Sequence, residues 1–270
     1  LVGLPGVVTA PMYWILSSAD RWFLNASTDS SVVGVYAVAC TFGQLGMMVN
    51  SALLAIWLPE ATRLHESIDQ DQADRMLGAL VARLMGVMML VWLGVGVLGG
   101  DLLRWITDAR FHVGTAVVPW LASAVFFYGC YHLANTGLFL GRRLKWSALT
   151  WATVGLLSIA ANLALVPRFG MLGAAYTQCV TFAVLAVAVL ILSQKIHPLP
   201  LPIIRILLAL AVSVGTLCLG VQLPVIVGWG TAAIKVVFLI VVWAILLGIL
   251  VPEVFTRGWR WLGRNGRGPW

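Results

Sequence analysis

From Thr231 to Val251 the chain runs through twenty-one residues with a single charged side chain, Lys235. A helix of about 20 apolar residues crosses a hydrocarbon layer about 30 Å thick. Lipid offers no water to backbone groups, so only helices and closed barrels can span it. Seven more segments have the same character: Leu4–Leu24, Val32–Leu58, Leu80–Gly99, Val113–Leu140, Trp146–Val166, Met171–Leu192 and Ile203–Gln222. Barrel strands would alternate polar and apolar residues, which these segments do not do. Gly, Ala and Ser occur throughout them, as close helix packing in lipid requires. The expected fold is all-α, a polytopic transmembrane helical bundle of eight spans.

Composition excludes the soluble alternatives. A soluble domain carries roughly 25% charged residues; this chain has 10%, with 61% hydrophobic residues and a mean hydropathy of +0.96. It lacks the polar surface to face water. The formal charge of +7 raises nucleic acid as a partner, but the distribution of Lys and Arg argues against it. With eight spans both ends lie on one side. That side carries twelve of the seventeen basic residues: Arg63, Arg75, Arg83, Arg142, Arg143, Lys145, Lys195, Arg205, Arg257, Arg260, Arg264 and Arg267. The other side has Arg21, Arg104, Arg110, Arg168 and Lys235. Basic residues concentrate on the cytoplasmic side, so the charge reports topology, with the C-terminus in the cytoplasm and no nucleic acid. The chain begins at Leu1, with neither an initiator Met nor the basic and small-residue regions of a signal peptide. The expectation is a piece of a longer protein, without its N-terminal half.

No enzyme signature is present. The chain has no Gly-rich phosphate loop, no HExxH and no GxSxG. Cys40, Cys130, Cys179 and Cys218 each lie in an apolar run, without the spacing of a zinc or redox pair, and read as buried packing residues. No cofactor or metal site is expected. The hydrophilic stretch Pro59–Ala79 reads as a cytoplasmic helix lying on the membrane face, its charges solvated. Asp101–Arg110 reads as an external loop whose acidic residues complete no site, and Pro167–Gly170 as a tight external turn. The tail from Arg257 to Trp270, with Trp259, Trp261, Trp270 and four Arg, reads as an anchor on anionic lipid.

Polar side chains at membrane depth are costly and mark function. The first segment has Thr9, Tyr13, Ser17, Asp20 and Arg21 at helical spacing. The second has Tyr36, Cys40, Gln44 and Ser51 on one face with Asn50 beside it. The fourth has Tyr128, Tyr131, His132 and Asn135 at i, i+3, i+4 and i+7. The fifth adds Ser158 and Asn162, the sixth Tyr176, Gln178 and Thr181. Two readings stand for each Asn and Gln: a hydrogen bond across a helix interface, or the wall of a water-filled cavity. The four-residue stripe of the fourth segment favours the cavity. For Asp20 and Arg21 the alternatives are an interfacial helix end, with Arg21 snorkelling, and a cavity site. In the cavity, the Arg21 guanidinium would grip a phosphate, and Asp20 would hold Arg21 or meet a sugar hydroxyl. The candidate cavity set is Tyr13, Asp20, Arg21, Gln44, Asn50, Tyr128, Tyr131, His132, Asn135, Asn162 and Gln178.

Taken in order, several local patterns resemble bacterial O-antigen and polysaccharide flippases of the multidrug/oligosaccharidyl-lipid/polysaccharide exporter superfamily. They are Ser17–Trp22, Val33–Ala39, Leu58-Pro59 before the acidic stretch, Gly141–Lys145, and Asn162 with Val166–Ala175. The match covers Leu4–Lys195; the last two segments agree in hydropathy alone. The resemblance implies a second six-helix transport bundle at 1–195, two additional transmembrane helices at 196–256 and a basic, Trp-rich cytoplasmic tail at 257–270. It implies a non-enzymatic transporter of the bacterial inner membrane that passes a lipid-linked oligosaccharide by alternating access, in contact with membrane lipids. Proton or sodium coupling, through Asp20 or His132, is compatible with it. The alternatives are a multidrug cation antiporter of the same superfamily and a membrane enzyme acting on lipid-linked sugars.

Overall fold

A computed structural model describes residues 4–67, 69–223 and 229–250. In chain order the helices are α1 (Leu4–Ser27), α2 (Ser30–Gly43), α3 (Gly46–Ser67), α4 (Gln70–Ile106), a 3-10 helix (Ala109–Ala116), α5 (Val118–Leu140), α6 (Leu144–Phe169), α7 (Met171–Ile196), α8 (Ile203–Gln222) and α9 (Trp229–Leu250). No strand occurs among the described residues. Five helices are long and apolar enough to cross a membrane, or up to seven if each of two bent pairs is one span. The chain is a multi-pass membrane protein. Each of the eight expected segments coincides with a helix or a bent pair, but α1, continuous over Leu4–Ser27, is not among these five to seven spans, so the expected eight are not all reached.

Apolar composition does not reveal where a span bends. The segment Val32–Leu58 is broken between α2 and α3, which meet at 43°. Gln44 sits at the break, its N–H donating to the Cys40 carbonyl at 2.9 Å. The 3-10 helix and α5 meet at 51° within the expected segment Val113–Leu140.

Three expectations for the connections change. Pro59–Ala79 is not a separate surface helix: α3 runs through Pro59 to Ser67 and α4 begins at Gln70. A proline removes one backbone hydrogen bond and need not end a helix whose face is packed, and Trp57, Ala61 and Leu64 are buried in the core. The Asp101–Arg110 loop is largely helical, because α4 continues to Ile106 and buries Asp101. The turn at Pro167–Gly170 contracts to one residue. α6 reaches Phe169, α7 starts at Met171, and Gly170 reverses the chain at φ +55°, a conformation that L side chains rarely adopt. The tail from Arg257 lies outside the described residues.

α5 is the centre of the bundle. It packs on α7 most extensively and also meets α2, α3, α4 and α6, while α1 and α6 pack on each other and on α7. Two indoles lock this arrangement: Trp57 Nε1 donates to Thr136 Oγ1 at 2.7 Å, joining α3 to α5, and Trp92 Nε1 donates to Ser123 Oγ at 2.9 Å, joining α4 to α5. Indole N–H groups at membrane depth have no water to bond, so each needs such a partner. α8 and α9 pack on α4 and on each other. At about 1.5 Å per residue, the 37 residues of α4 extend about 55 Å. α4 therefore outreaches the hydrocarbon layer and has length to support both α8 and α9.

Candidate functional site

Four of the eleven candidate residues converge on one cleft. Tyr13 of α1, Gln44 of the α2–α3 break, and Tyr128 and Gln178 of α5 and α7 line a small open cleft with a cavity volume of about 40 Å³. Ser17, Met47, Leu121, Ala124, Val125 and Phe182 complete the wall. Gln44 lines it from the break between α2 and α3. The cleft therefore combines two carboxamides, two phenols and a hydroxyl with an otherwise apolar lining.

Aromatic rings form one side of it. The Tyr13 and Tyr128 rings lie 5.0 Å apart, and Tyr128 meets Phe182 edge-on at 5.4 Å. Behind them Trp151 of α6 stands against Tyr13, Tyr128, Tyr131 and Phe182 at 6.3, 6.5, 5.2 and 6.4 Å. Offset and edge-on pairs at such distances stabilise by about 0.5–1.5 kcal/mol each beyond their buried area, so the wall is held in place. Trp151 and Phe182 were not among the sequence candidates, since an aromatic residue in an apolar helix reads as packing.

Tyr131 and His132 stand behind the cleft. Tyr131 Oη lies 3.3 Å from Ser147 Oγ of α6. The His132 ring meets Tyr128 and Tyr131 at 4.5 and 4.9 Å. Asn135, one turn further along α5, has a buried Oδ1 without a hydrogen-bond partner.

The remaining candidates lie elsewhere. Asn50 Nδ2 donates to the Val125 carbonyl at 2.8 Å, a bond from α3 to α5. Asn162 Nδ2 donates back along α6 to the Ser158 carbonyl at 2.9 Å, and its Oδ1 is buried without a partner. Asp20 is 2% exposed and accepts a hydrogen bond from Tyr36 Oη at 2.5 Å. Its other oxygen accepts from the Arg21 backbone N–H at 2.8 Å. The carboxylate thus clamps α1 to α2 and is no solvated helix end. Arg21 does not line the cleft, and its Nε is buried with no hydrogen-bond partner.

No family model matches the chain, and no solved structure matches it. Over 189 residues it is 27% identical to a Haloferax volcanii protein described as "Probable flippase AglR". The alignment covers 67% of this chain and 39% of that protein, so the chain spans well under half the length of its relative. The relative is archaeal, and the similarity carries neither a bacterial origin nor an O-antigen. What this chain is similar to, over 67% of its own length, is a protein described as a probable flippase.

Proposed function

We propose that the chain is part of a membrane transporter of the flippase kind, which moves a lipid-linked oligosaccharide or a related sugar-bearing amphiphile across the bilayer. The carrying observation is the cleft of Tyr13, Gln44, Tyr128 and Gln178 inside a bundle whose exterior suits lipid. Sugars present C–H faces that pack on aromatic rings and hydroxyls that bond to carboxamides, and the cleft offers both groups. Ligand sites of this sort combine an apolar wall with a few placed polar groups. The similarity to the archaeal flippase supports the same class. A lipid tail would remain in the bilayer while the head group passes the bundle, and alternating access against a partner bundle supplies the path.

The test uses the full-length gene in its host. Deletion should cause lipid-linked precursor to accumulate and surface or extracellular glycan to fall. Wild type should restore both, while Tyr128→Ala and Gln178→Leu, expressed at normal levels, should not. Unchanged glycan together with raised sensitivity to cationic drugs would reject this reading and favour a multidrug antiporter.

A further inference from the structure

Away from the cleft, at the end of the bundle where Arg63, Arg75 and Lys195 also lie, three elements meet. His65 is in the last turn of α3, Asp74 in the first turns of α4, and His197 caps the C-terminus of α7. His197 Nε2 is 3.1 Å from Asp74 Oδ1, across 123 residues of sequence. The His65 and His197 rings stand edge to face at 5.4 Å. Each of the three residues presents one ligand atom, and these atoms all lie within 4.8 Å of one another. In addition, His65 Nδ1 is buried with no hydrogen-bond partner. Two imidazoles and a carboxylate in one half-buried niche exceed what a single His–Asp hydrogen bond requires.

We propose that His65, Asp74 and His197 form a binding site for one divalent transition-metal ion, zinc by its ligand set, which clamps the α7–α8 connection onto the α3–α4 hairpin. Two His nitrogens and one carboxylate oxygen, with a further position left to water, are ligands that zinc accepts. Bonds of about 2.0–2.1 Å in a tetrahedral ion place ligand atoms roughly 3.4 Å apart. The His197–Asp74 pair is already near that spacing, and the His65 ligand atom lies within 4.8 Å of both. Calcium and magnesium prefer all-oxygen shells and fit it poorly.

The backbone around the niche explains what the clamp would hold. A Cβ on Gly78 of α4 would stand 2.6 Å from the Pro200 carbonyl oxygen, so the 197–202 connection lies directly against α4. That connection leads into α8 and α9, the pair that meets the rest of the bundle chiefly through α4. A metal at His65, Asp74 and His197 would therefore fix where this pair docks.

The experiment needs no transport assay, so its outcome is independent of the flippase reading. Full-length protein, purified in detergent with a histidine-free affinity tag and stripped with chelator, is titrated with Co²⁺ as an optical probe and then with Zn²⁺ as competitor. Wild type and His112→Ala should each bind one Co²⁺ per chain, with the spectrum of a low-coordinate nitrogen–oxygen site, and release it to Zn²⁺. His65→Ala, Asp74→Asn and His197→Ala should weaken binding by at least about tenfold. Zn²⁺ but not Mg²⁺ should also raise the thermal midpoint of the wild type, a readout that stands even where a variant fails to fold. Absence of the cobalt spectrum and of the Zn²⁺-dependent rise in wild type, or equal binding by His65→Ala and His197→Ala, would overturn the proposal.

Discussion

Lys235 of α9 donates to Asp101 of α4 at 2.6 Å, joining residues 134 apart in sequence, with side chains only 6% and 8% exposed. An ammonium facing lipid would be expensive; directed inward onto a carboxylate it becomes the polar link between α9 and the bundle. Removing one member of a buried pair costs about 3–5 kcal/mol, because the other charge is stranded, whereas replacing both with apolar residues can be nearly neutral. Lys235→Met is therefore expected to lower thermal stability strongly. Lys235→Met with Asp101→Leu should recover much of the loss. Thermal unfolding in detergent, run as a double-mutant cycle, measures both.

The Asp20–Tyr36 hydrogen bond makes a second prediction. Tyr36 is fully buried, and its hydroxyl is the side-chain donor to Asp20. Tyr36→Phe keeps the ring and leaves the carboxylate one donor short, at a cost of about 1–3 kcal/mol. Asp20→Asn keeps an acceptor for Tyr36 and should destabilise less. Equal melting points for wild type and Tyr36→Phe would show that the bond contributes nothing. If the carboxylate also carries a coupling proton, Asp20→Asn will abolish any dependence of transport on pH while the protein remains folded.

The ease with which these features can be read from sequence follows from physics. Helix positions were legible because a bilayer requires long apolar runs: α8 spans Ile203–Gln222, the segment that hydropathy marks. Bends were not legible, since Gln44 at the α2–α3 break lies in an apolar run that reads the same bent or straight. Asp101 read as a loop residue because its partner, Lys235, is on another helix. The polar stripes included Tyr13, Gln44, Tyr128 and Gln178, which line the cleft, but stripes of the same kind included Asn50 and Asn162, whose amides bond to backbone carbonyls. Spacing along one helix cannot separate a cavity wall from a helix contact. His65, Asp74 and His197 were invisible as a group for the same reason, because no local spacing joins them.

In the cleft, Gln178→Leu removes a carboxamide while nearly preserving volume, and Tyr128→Ala removes the ring that links Tyr13 to Phe182. Precursor translocation, followed in cells or reconstituted vesicles, should fall at least about tenfold in each, equivalent to about 1.4 kcal/mol. Gln178→Leu should melt close to wild type; Tyr128→Ala should also lose stability, because it empties part of a packed aromatic wall. Full transport by Gln178→Leu would mean the amide does not meet the cargo.

The α6–α7 hairpin supplies the last prediction. A Cβ on Gly173 would run into the Leu165 carbonyl oxygen and lie 3.1 Å from the Val166 Cα. The obstruction is backbone, which cannot rotate away as a side chain can. Gly173→Ala must therefore push α7 off α6, at a cost of about 1–3 kcal/mol as for other overpacked sites. The shift starts two residues from the α7 N-terminus and propagates along the helix that carries Gln178 and Phe182. Gly215→Ala on α8, where a Cβ meets nothing within 4 Å, is the matched control and should melt like wild type. Because Gly173 lies outside the cleft lining, any transport defect of Gly173→Ala should follow its fall in thermal stability. Impaired transport with an unchanged melting point would instead require α7 to move during the transport cycle, with Gly173 at the contact along which it slides.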